Sequence, residues 1–325
     1  MSRQTKSPLS LYLDFDSTLT EHDTLSALSS TVHKHRPSAL PTLPPFSTFT
    51  EAYFADLEEY HRNPHNWSSE PGQEPFTPLV AELARLRNLR PVENASLNRL
   101  GQVGWFQGLT AAGIAADARE AVEKRDVVLR KGWAELVRTV QQDGGSVAIL
   151  SVNWSRRWVR ECLRADLHYR VGEAKLRQGA KIDVDAIEIV ANELEGLDEP
   201  EGTTSGRILG TEVLGGDRIM TSTDKKKVLD ALRQRNTDHQ SGRTGTRIYV
   251  GDSVTDLECL LIVDVAITIR EDEQSWSSGQ RELADTLRLF DTRVDRIDEY
   301  DEGADKGIVW WATDFEEITK ALKIL

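Results

Sequence analysis

The chain has 325 residues, room for one large domain or two smaller ones, and 39% of them are hydrophobic, with eight Trp to fill a core. Its 53 Asp and Glu outnumber its 40 Lys and Arg, for a net charge of −13. That balance argues against general nucleic-acid binding and against an anionic membrane as partner, because both need basic surface, but it allows a small phosphorylated metabolite held by local positive groups.

The two cysteines, Cys162 and Cys259, cannot build a disulfide framework. Their apolar, helix-like surroundings read as core in a reducing compartment. No apolar run reaches the length of a membrane span. Residues 1–8 are polar, without the apolar region of a signal peptide, and read as loose. The expectation is a cytoplasmic protein.

In chain order, residues 10–15 are apolar and read as a first strand. Leu25, Leu28 and Val32 follow at helical spacing, and Pro37, Pro41, Pro44 and Pro45 then break regular structure. Phe49, Tyr53, Phe54, Leu57 and Tyr60 form an aromatic stripe at helical period. It is either core packing or a pocket wall. Residues 63–78 read as a loop, and 79–89, 92–103 and 111–123 as helices. Residues 24–128 therefore form a mostly helical insert. Beyond it, 133–142 reads as a helix, 147–151 as a strand, 154–163 as a helix and 187–191 as a strand. The segment 196–216 reads as a hairpin or an exposed loop. A helix over 223–235, a loop over 236–245, a strand over 247–250, a helix over 255–261 and a strand over 265–269 come next. A late strand over 308–312 and a helix over 314–322 close the chain. Strands that are apolar on both faces and alternate with helices predict an α/β fold, a doubly wound parallel sheet. Ligands of such sheets bind at the carboxyl ends of the strands.

Four polar clusters fall at those ends. Asp14, Asp16 and Thr18 follow the first strand. Two carboxylates two residues apart can converge there, and convergence costs repulsion and desolvation unless a cation sits between them. Mg2+ is the natural tenant, being a hard cation that takes oxygen ligands beside phosphates. The alternative is a solvated turn. Ser151, Val152 and Asn153 follow the second strand; they either bind a phosphate oxygen or cap the next helix. Lys225 starts a helix within Asp224-Lys225-Lys226-Lys227, the end where the helix dipole disfavours lysine. Paired carboxylates and a phosphate would explain one inward lysine; Lys226 and Lys227 read as solvated. Asp252 and Asp256, in Gly251-Asp252-Ser253-Val254-Thr255-Asp256, follow a third strand.

Taken together, the run Asp14-Phe15-Asp16-Ser17-Thr18-Leu19-Thr20, the strand-end Ser151, the helix-start Lys225 and the strand-end Gly251-Asp252 with Asp256 resemble the haloacid dehalogenase (HAD) superfamily, in its phosphatase branch. The motifs cover about two thirds of the chain. The helical insert after the first motif, and the stretch from Glu188 to Leu194, are similar to phosphoserine phosphatases. The Asp-Phe-Asp-x-Thr-x-Thr-x-x-Asp spacing with Ser151-Val152-Asn153-Trp154 is similar to thiamine monophosphate phosphatase-like domains and to the phosphatase of methionine salvage. The resemblance implies a HAD-like Rossmannoid core over 1–23 and 129–325, and a cap domain over 24–128.

It also implies roles. Asp14 is the nucleophile that forms an aspartyl-phosphate. Asp16 is the general acid and then the base for water. Mg2+ is held by the Asp14 carboxylate, the Asp16 backbone carbonyl and Asp252, with Asp256 supporting it. Ser151 binds the phosphoryl group with Thr18, Val152 and Asn153 nearby, and Lys225 pairs with Asp14 and phosphate. Asp23, nine after Asp14, stands where phosphoserine phosphatases carry a substrate-binding Glu. Trp154, Trp105, Phe106 and the Tyr53 stripe are either core or a stacking wall for a heteroaromatic or cationic substrate, and His22 is either a pocket residue or a solvated helix start. The expected activity is Mg2+-dependent hydrolysis of a small soluble phosphate monoester. A phosphotransferase or phosphomutase of the same superfamily, or a catalytically silent binding protein of that fold, are the alternatives.

Overall fold

A computed structural model describes residues 9–63, 77–173, 182–198, 202–239, 245–271, 273–301 and 307–322. In chain order, β1 (Ser10–Leu13) leads to helices α1 (Leu25–Ser30), α2 (Val32–His35), α3 (Ser47–Arg62), α4 (Pro78–Arg87), α5 (Arg90–Gln102), α6 (Ala111–Glu123) and α7 (Trp133–Gln142). Then come β2 (Ser146–Leu150), α8 (Arg156–Glu173), β3 (Glu188–Val190), β4 (Glu193–Leu194) and β5 (Ile208–Leu209). The chain continues through α9 (Ser222–His239), β6 (Arg247–Gly251), α10 (Leu257–Leu260), β7 (Val265–Ile269), α11 (Ser278–Leu289), β8 (Val294–Arg296), β9 (Val309–Ala312) and α12 (Phe315–Ala321).

Seven strands form one sheet in the order β3-β2-β1-β6-β7-β9-β8, and every pairing in it is parallel. Alternate residues of a strand point to opposite faces, and the buried side chains divide accordingly. Leu11, Leu13, Val147, Ile149, Ile248 and Val250 join one cluster with Trp133, Leu136 and Val140 of α7, Trp158 and Cys162 of α8, and Phe315 of α12. Tyr12, Ala148, Leu150 and Tyr249 join the other with Val228, Leu229 and Leu232 of α9, Cys259 of α10 and Leu283 of α11. Helices thus cover both faces, as the unbroken apolar strands predict.

The switch point lies between β1 and β6, since β2 and β3 run out on one side of β1 and the later strands on the other. Helices α1–α6 leave the sheet after β1 and return before α7. The two connecting segments pair with each other. Glu21 N donates to Val128 O at 2.9 Å and Arg130 N to Leu19 O at 2.7 Å, around an antiparallel bridge between Thr20 and Leu129. Leu28, Phe49 and Leu97 from these helices, with Trp105 and Phe106 from the turn between α5 and α6, belong to the same buried cluster as β1.

Several elements differ from the sequence expectation. The first strand ends at Leu13, because Asp14 caps a wide turn over Phe15–Leu19. The expected helix over 154–163 starts at Arg156 and continues to Glu173. Residues 255–261 divide into a tight turn, Val254–Asp256, and the short α10. α11 and β8 were not anticipated: α11 buries only Leu283, Thr286 and Leu287, too sparse an apolar stripe in a polar run, and all of β8 is half-buried. Within the 196–216 segment β5 pairs antiparallel with β4, which lies just before the segment, and a tight turn follows over Glu212–Leu214; residues 199–201 lie outside the described residues. α9 runs on to His239, past the expected start of a loop at 236. Residues 1–8 and most of the expected loop over 63–78 lie outside the described residues.

Candidate active site

Asp14 stands at the carboxyl end of β1, next to β6 across the switch point. Its Oδ1 accepts from Phe15 N at 2.7 Å and from Lys225 Nζ at 2.9 Å. The turn that follows is irregular. Asp16 is extended and Ser17 has a φ of 59°, a left-handed conformation that few residues other than glycine adopt without cost. After this turn the two carboxylates take different partners. Asp16 Oδ1 accepts from Thr24 N at 2.8 Å and Thr24 Oγ1 at 2.6 Å, and its Oδ2 accepts from Asn153 Nδ2 at 2.8 Å. The acid gathered with Asp14 is instead Asp252. Ligand oxygens of Asp14, Asp252 and Asp256 lie within 4.8 Å of one another, and all three residues are buried.

Lys225 lies in the first turn of α9, fully buried, with Nζ 2.7 Å from Asp256 Oδ1 as well as close to Asp14. Lys226 instead pairs along its own helix with Asp230, and Lys227 is exposed, as expected. Asp256 is heavily committed. Tyr249 Oη donates to its Oδ1 at 2.7 Å, and its Oδ2 accepts from the backbone N–H groups of Asp252 at 3.0 Å and Ser253 at 3.1 Å. A carboxylate has about four acceptor positions, so little is left for a cation. Asp252 Oδ1 accepts from Thr18 Oγ1 at 3.0 Å. Among the described residues, no hydrogen bond reaches Asp14 Oδ2 or Asp252 Oδ2.

This donor set suits a hard divalent cation: two carboxylate oxygens in reach of each other, with Asp256 behind them as structural support. Its electrostatics agree. Burial, then repulsion from Asp256, pushes the Asp14 carboxyl up to about 8, against the opposing pull of Lys225. Burial and the charges of Asp256 and Asp14 push Asp252 well above the usual carboxylate range. Burial works against the Lys225 charge, but Asp14 and Asp256 outweigh it and hold the ammonium above its ordinary value. Metal charge would relieve the strain between the two acids.

Ser151 is fully buried at the end of β2, and its Oγ accepts from Asn153 N at 3.1 Å. The hydroxyl proton is thereby left to point elsewhere. Val152 offers its carbonyl to Asn192 Nδ2 at 3.1 Å and no side-chain chemistry. Asp23 is solvent-exposed and accepts from Leu25 N at 2.8 Å, yet its crowded surroundings and the neighbouring charge of Asp16 push its carboxyl up to about 7. His22 is exposed too. Trp105 and Phe106 are fully buried core. Trp154 is half-buried and meets Phe106 and Phe46 edge-on, with centroids 5.9 and 6.4 Å apart. Tyr53 is tied to Glu93 at 2.8 Å.

Four residues that sequence reasoning passed over hold this arrangement. Thr24 and Trp158 stand behind Asp16, with Trp158 Nε1 donating to Thr24 Oγ1 at 3.1 Å. Tyr249 stands behind Asp256. Arg130, 4% exposed, donates to the carbonyls of Ser17, Thr18, Thr20 and Glu21 and pairs with Glu271 at 2.8 Å. Only the Thr at the tenth position after Asp14 left a trace in the sequence, as a polar neighbour of the motif; a lone Arg, Trp or Tyr carries no such signal.

Fold and site together define an α/β protein: a doubly wound parallel sheet whose switch point carries a buried acid–lysine cluster. No family model matches the chain. A CTO1 family protein of Schizosaccharomyces pombe is 26% identical over 317 residues, spanning 96% of this chain and 98% of that protein. Among solved structures, phosphoserine phosphatase in its apo form is similar, with a TM-score of 0.45 and 14% identity over 97% of this chain and 98% of that one. A HAD family hydrolase from Salmonella enterica subsp. enterica serovar Typhi is similar with a TM-score of 0.44 and 15% identity; the match covers 84% of this chain and 66% of that hydrolase's length. Among the described residues, no helix is long and apolar enough to cross a membrane.

Proposed function

We propose that the chain is a Mg2+-dependent phosphoric monoester hydrolase working through an aspartyl-phosphate on Asp14. The observation that carries this reading is the state of Asp14. Lys225 and the Phe15 N–H occupy one carboxylate oxygen and leave the other unbonded among the described residues, at the end of a central strand. A carboxylate held by one oxygen has its second free to attack phosphorus in line. The motif resemblance supports the same assignment.

In the first step Asp14 Oδ2 bonds to phosphorus while the P–O bond to the leaving group breaks. Its electron pair goes to the ester oxygen, which takes a proton from the Asp16 carboxyl. In the second step water attacks phosphorus, Asp16 takes the water's proton, and the bond to Asp14 breaks to release inorganic phosphate. Ser151 Oγ, with its hydroxyl proton uncommitted, and Lys225 Nζ hold the phosphoryl oxygens. Mg2+, held by Asp14, Asp252 and the Asp16 carbonyl, would supply charge neutralisation between carboxylates and phosphate.

Residues 24–128 act in this reading as a cap. Asp14, Ser151, Lys225 and Asp252 are each at most 4% exposed, so a substrate has to be admitted by movement. Arg90 of α5 pairs with Asp224 of α9 at 2.6 Å, beside Lys225, and Arg85 of α4 pairs with Glu282 of α11 at 2.5 Å. These two pairs join the helical insert to helices on the sheet, so opening has to break them. Closure would expel water and complete the substrate contacts. The substrate is a small phosphorylated metabolite. The test is phosphate release from 4-nitrophenyl phosphate and from a panel of phosphorylated metabolites: release should need Mg2+ and vanish in Asp14→Asn. Full activity in Asp14→Asn refutes the nucleophile assignment.

A further inference from the structure

The hydrogen bonds around Asp16 form a directed chain. Asn153 Oδ1 accepts from Ser155 N at 3.1 Å, which settles that the Asn153 amide nitrogen faces Asp16 and Thr24. Thr24 Oγ1 receives the Trp158 indole N–H at 3.1 Å and the Asn153 amide at 3.3 Å. Both of those groups can only donate. A hydroxyl has two lone pairs and one proton, so with both lone pairs engaged the Thr24 proton has one destination, Asp16 Oδ1 at 2.6 Å. The Thr24 backbone N–H, at 2.8 Å, is a second donor to that same oxygen. Asp16 Oδ1 is then saturated. Asp16 Oδ2 carries one donor, the Asn153 amide, and keeps one position open.

We propose that Thr24 and Trp158 are positioning residues for Asp16: by saturating Oδ1 they confine the transferable proton to Oδ2. The proposal deepens the hydrolase reading and rests on it for its chemical consequence. Trp158 acts through Thr24. It is fully buried in the first turn of α8, with its backbone N–H bonded to Ser155 Oγ at 3.1 Å, and Ser155 Oγ is in turn bonded to Glu193 at 2.7 Å. The indole is therefore held by a rigid helix start and directs a side chain of the helical insert.

Leaving groups separate positioning of an acid from general support of the fold. A nitrophenolate departs with little help, whereas an alkoxide needs its proton as the P–O bond breaks. The experiment measures kcat and KM for 4-nitrophenyl phosphate and for glycerol 2-phosphate in the full chain with Mg2+, in Thr24→Val, Thr24→Ser and Trp158→Phe. The expected result is a fall in kcat for the alkyl ester that exceeds the fall for the aryl ester by about tenfold or more in Thr24→Val and Trp158→Phe, with KM little changed. Thr24→Ser should return the alkyl-to-aryl ratio to that of the unaltered protein. An equal fall for both esters, or a ratio that Ser fails to restore, overturns the proposal.

A second readout needs no turnover. In 15N-labelled protein the Trp158 indole N–H is assigned by its loss in Trp158→Phe. Its resonance should move in Thr24→Val and in Asp16→Asn, since both alter the acceptor it faces. A resonance unmoved by either change overturns the relay itself. A moved resonance in a protein that releases phosphate from neither ester leaves the relay standing and sinks the hydrolase reading.

Discussion

Lys225 Nζ lies 2.9 Å from Asp14 Oδ1, with neither side chain more than 6% exposed. Together with Asp256 they make a buried acid–lysine–acid row, anchored at its far end by the Tyr249 hydroxyl. Removing the cation leaves buried carboxylates facing one another. Lys225→Met should therefore lower stability by about 3–5 kcal/mol, the usual cost of leaving buried charge unpaired. Urea denaturation measures it, and a loss under about 1 kcal/mol would contradict the electrostatic account.

The same repulsion sets the pH dependence. A carboxyl like Asp14 titrates near 3.8 when unfolded, but burial and Asp256 raise it to about 8 in the folded protein. Between those values the native state binds more protons than the unfolded state. Stability should thus fall as pH rises from about 4 to 8. Urea midpoints across that window in metal-free protein should show the decline, and Mg2+ should flatten it. A rise in stability over the same window, without metal, has the wrong sign for this explanation.

Asp252 gives the corresponding metal test. In Asp252→Asn one of the two repelling acids becomes neutral, so the metal-free protein should be more stable than the unaltered chain. The same change removes a carboxylate oxygen from the cation's donor set, and the thermal midpoint should no longer respond to Mg2+. Calorimetry with and without Mg2+ checks both effects, and an undiminished Mg2+ response would exclude Asp252 from the cation site.

Gly251 is required by close approach. A Cβ at this position would sit 2.4 Å from Asp256 Cγ and 2.6 Å from Asp256 Cβ. Asp256 cannot yield without releasing Lys225, Tyr249 and two backbone N–H groups. Gly251→Ala should cost about 1–3 kcal/mol, as overpacking of a tight interior does. It should also depress phosphate release by displacing Lys225. Denaturation and an aryl phosphate assay read the two effects, and a fully active, equally stable variant would show that Asp256 can shift freely.

Arg130 ties the turn after Asp14 to the return of the insert. Its guanidinium reaches carbonyls of Ser17, Thr18, Thr20 and Glu21, a fan that a lysine ammonium cannot copy. Arg130→Lys should therefore behave nearly as badly as Arg130→Met, with a loss of about 2 kcal/mol or more, several buried carbonyls being left unpaired. Equal stability of the Lys variant and the unaltered protein would mean that charge alone is at work.

Much of this arrangement was legible before any coordinates. Apolar runs before Asp14, Ser151 and Asp252 marked central strands, and the polar residue just past each run marked its carboxyl end. Lys225 stood out because a lysine at a helix start is electrostatically misplaced unless acids face it, and Asp14 and Asp256 do. The strand β8 and helix α11 escaped because their burial is partial and leaves no periodic signature. Asp23 was singled out by spacing; its side chain accepts from Leu25 N at its own helix start, and its carboxyl also feels the charge of Asp16. Spacing along the chain does not specify which way a turn aims a side chain.

The sequence by itself determined the alternation of strands and helices and which acids, hydroxyls and lysine sit at strand ends, because those follow from local pattern and the parity of a strand. Only the tertiary structure decided that Asp252 faces Asp14 while Asp16 is drawn aside to Thr24 and Asn153, and that Trp158, Tyr249 and Arg130 hold them there. Such partnerships join residues far apart in the chain, and a hydrogen bond depends on ångström-scale direction that no one-dimensional pattern encodes.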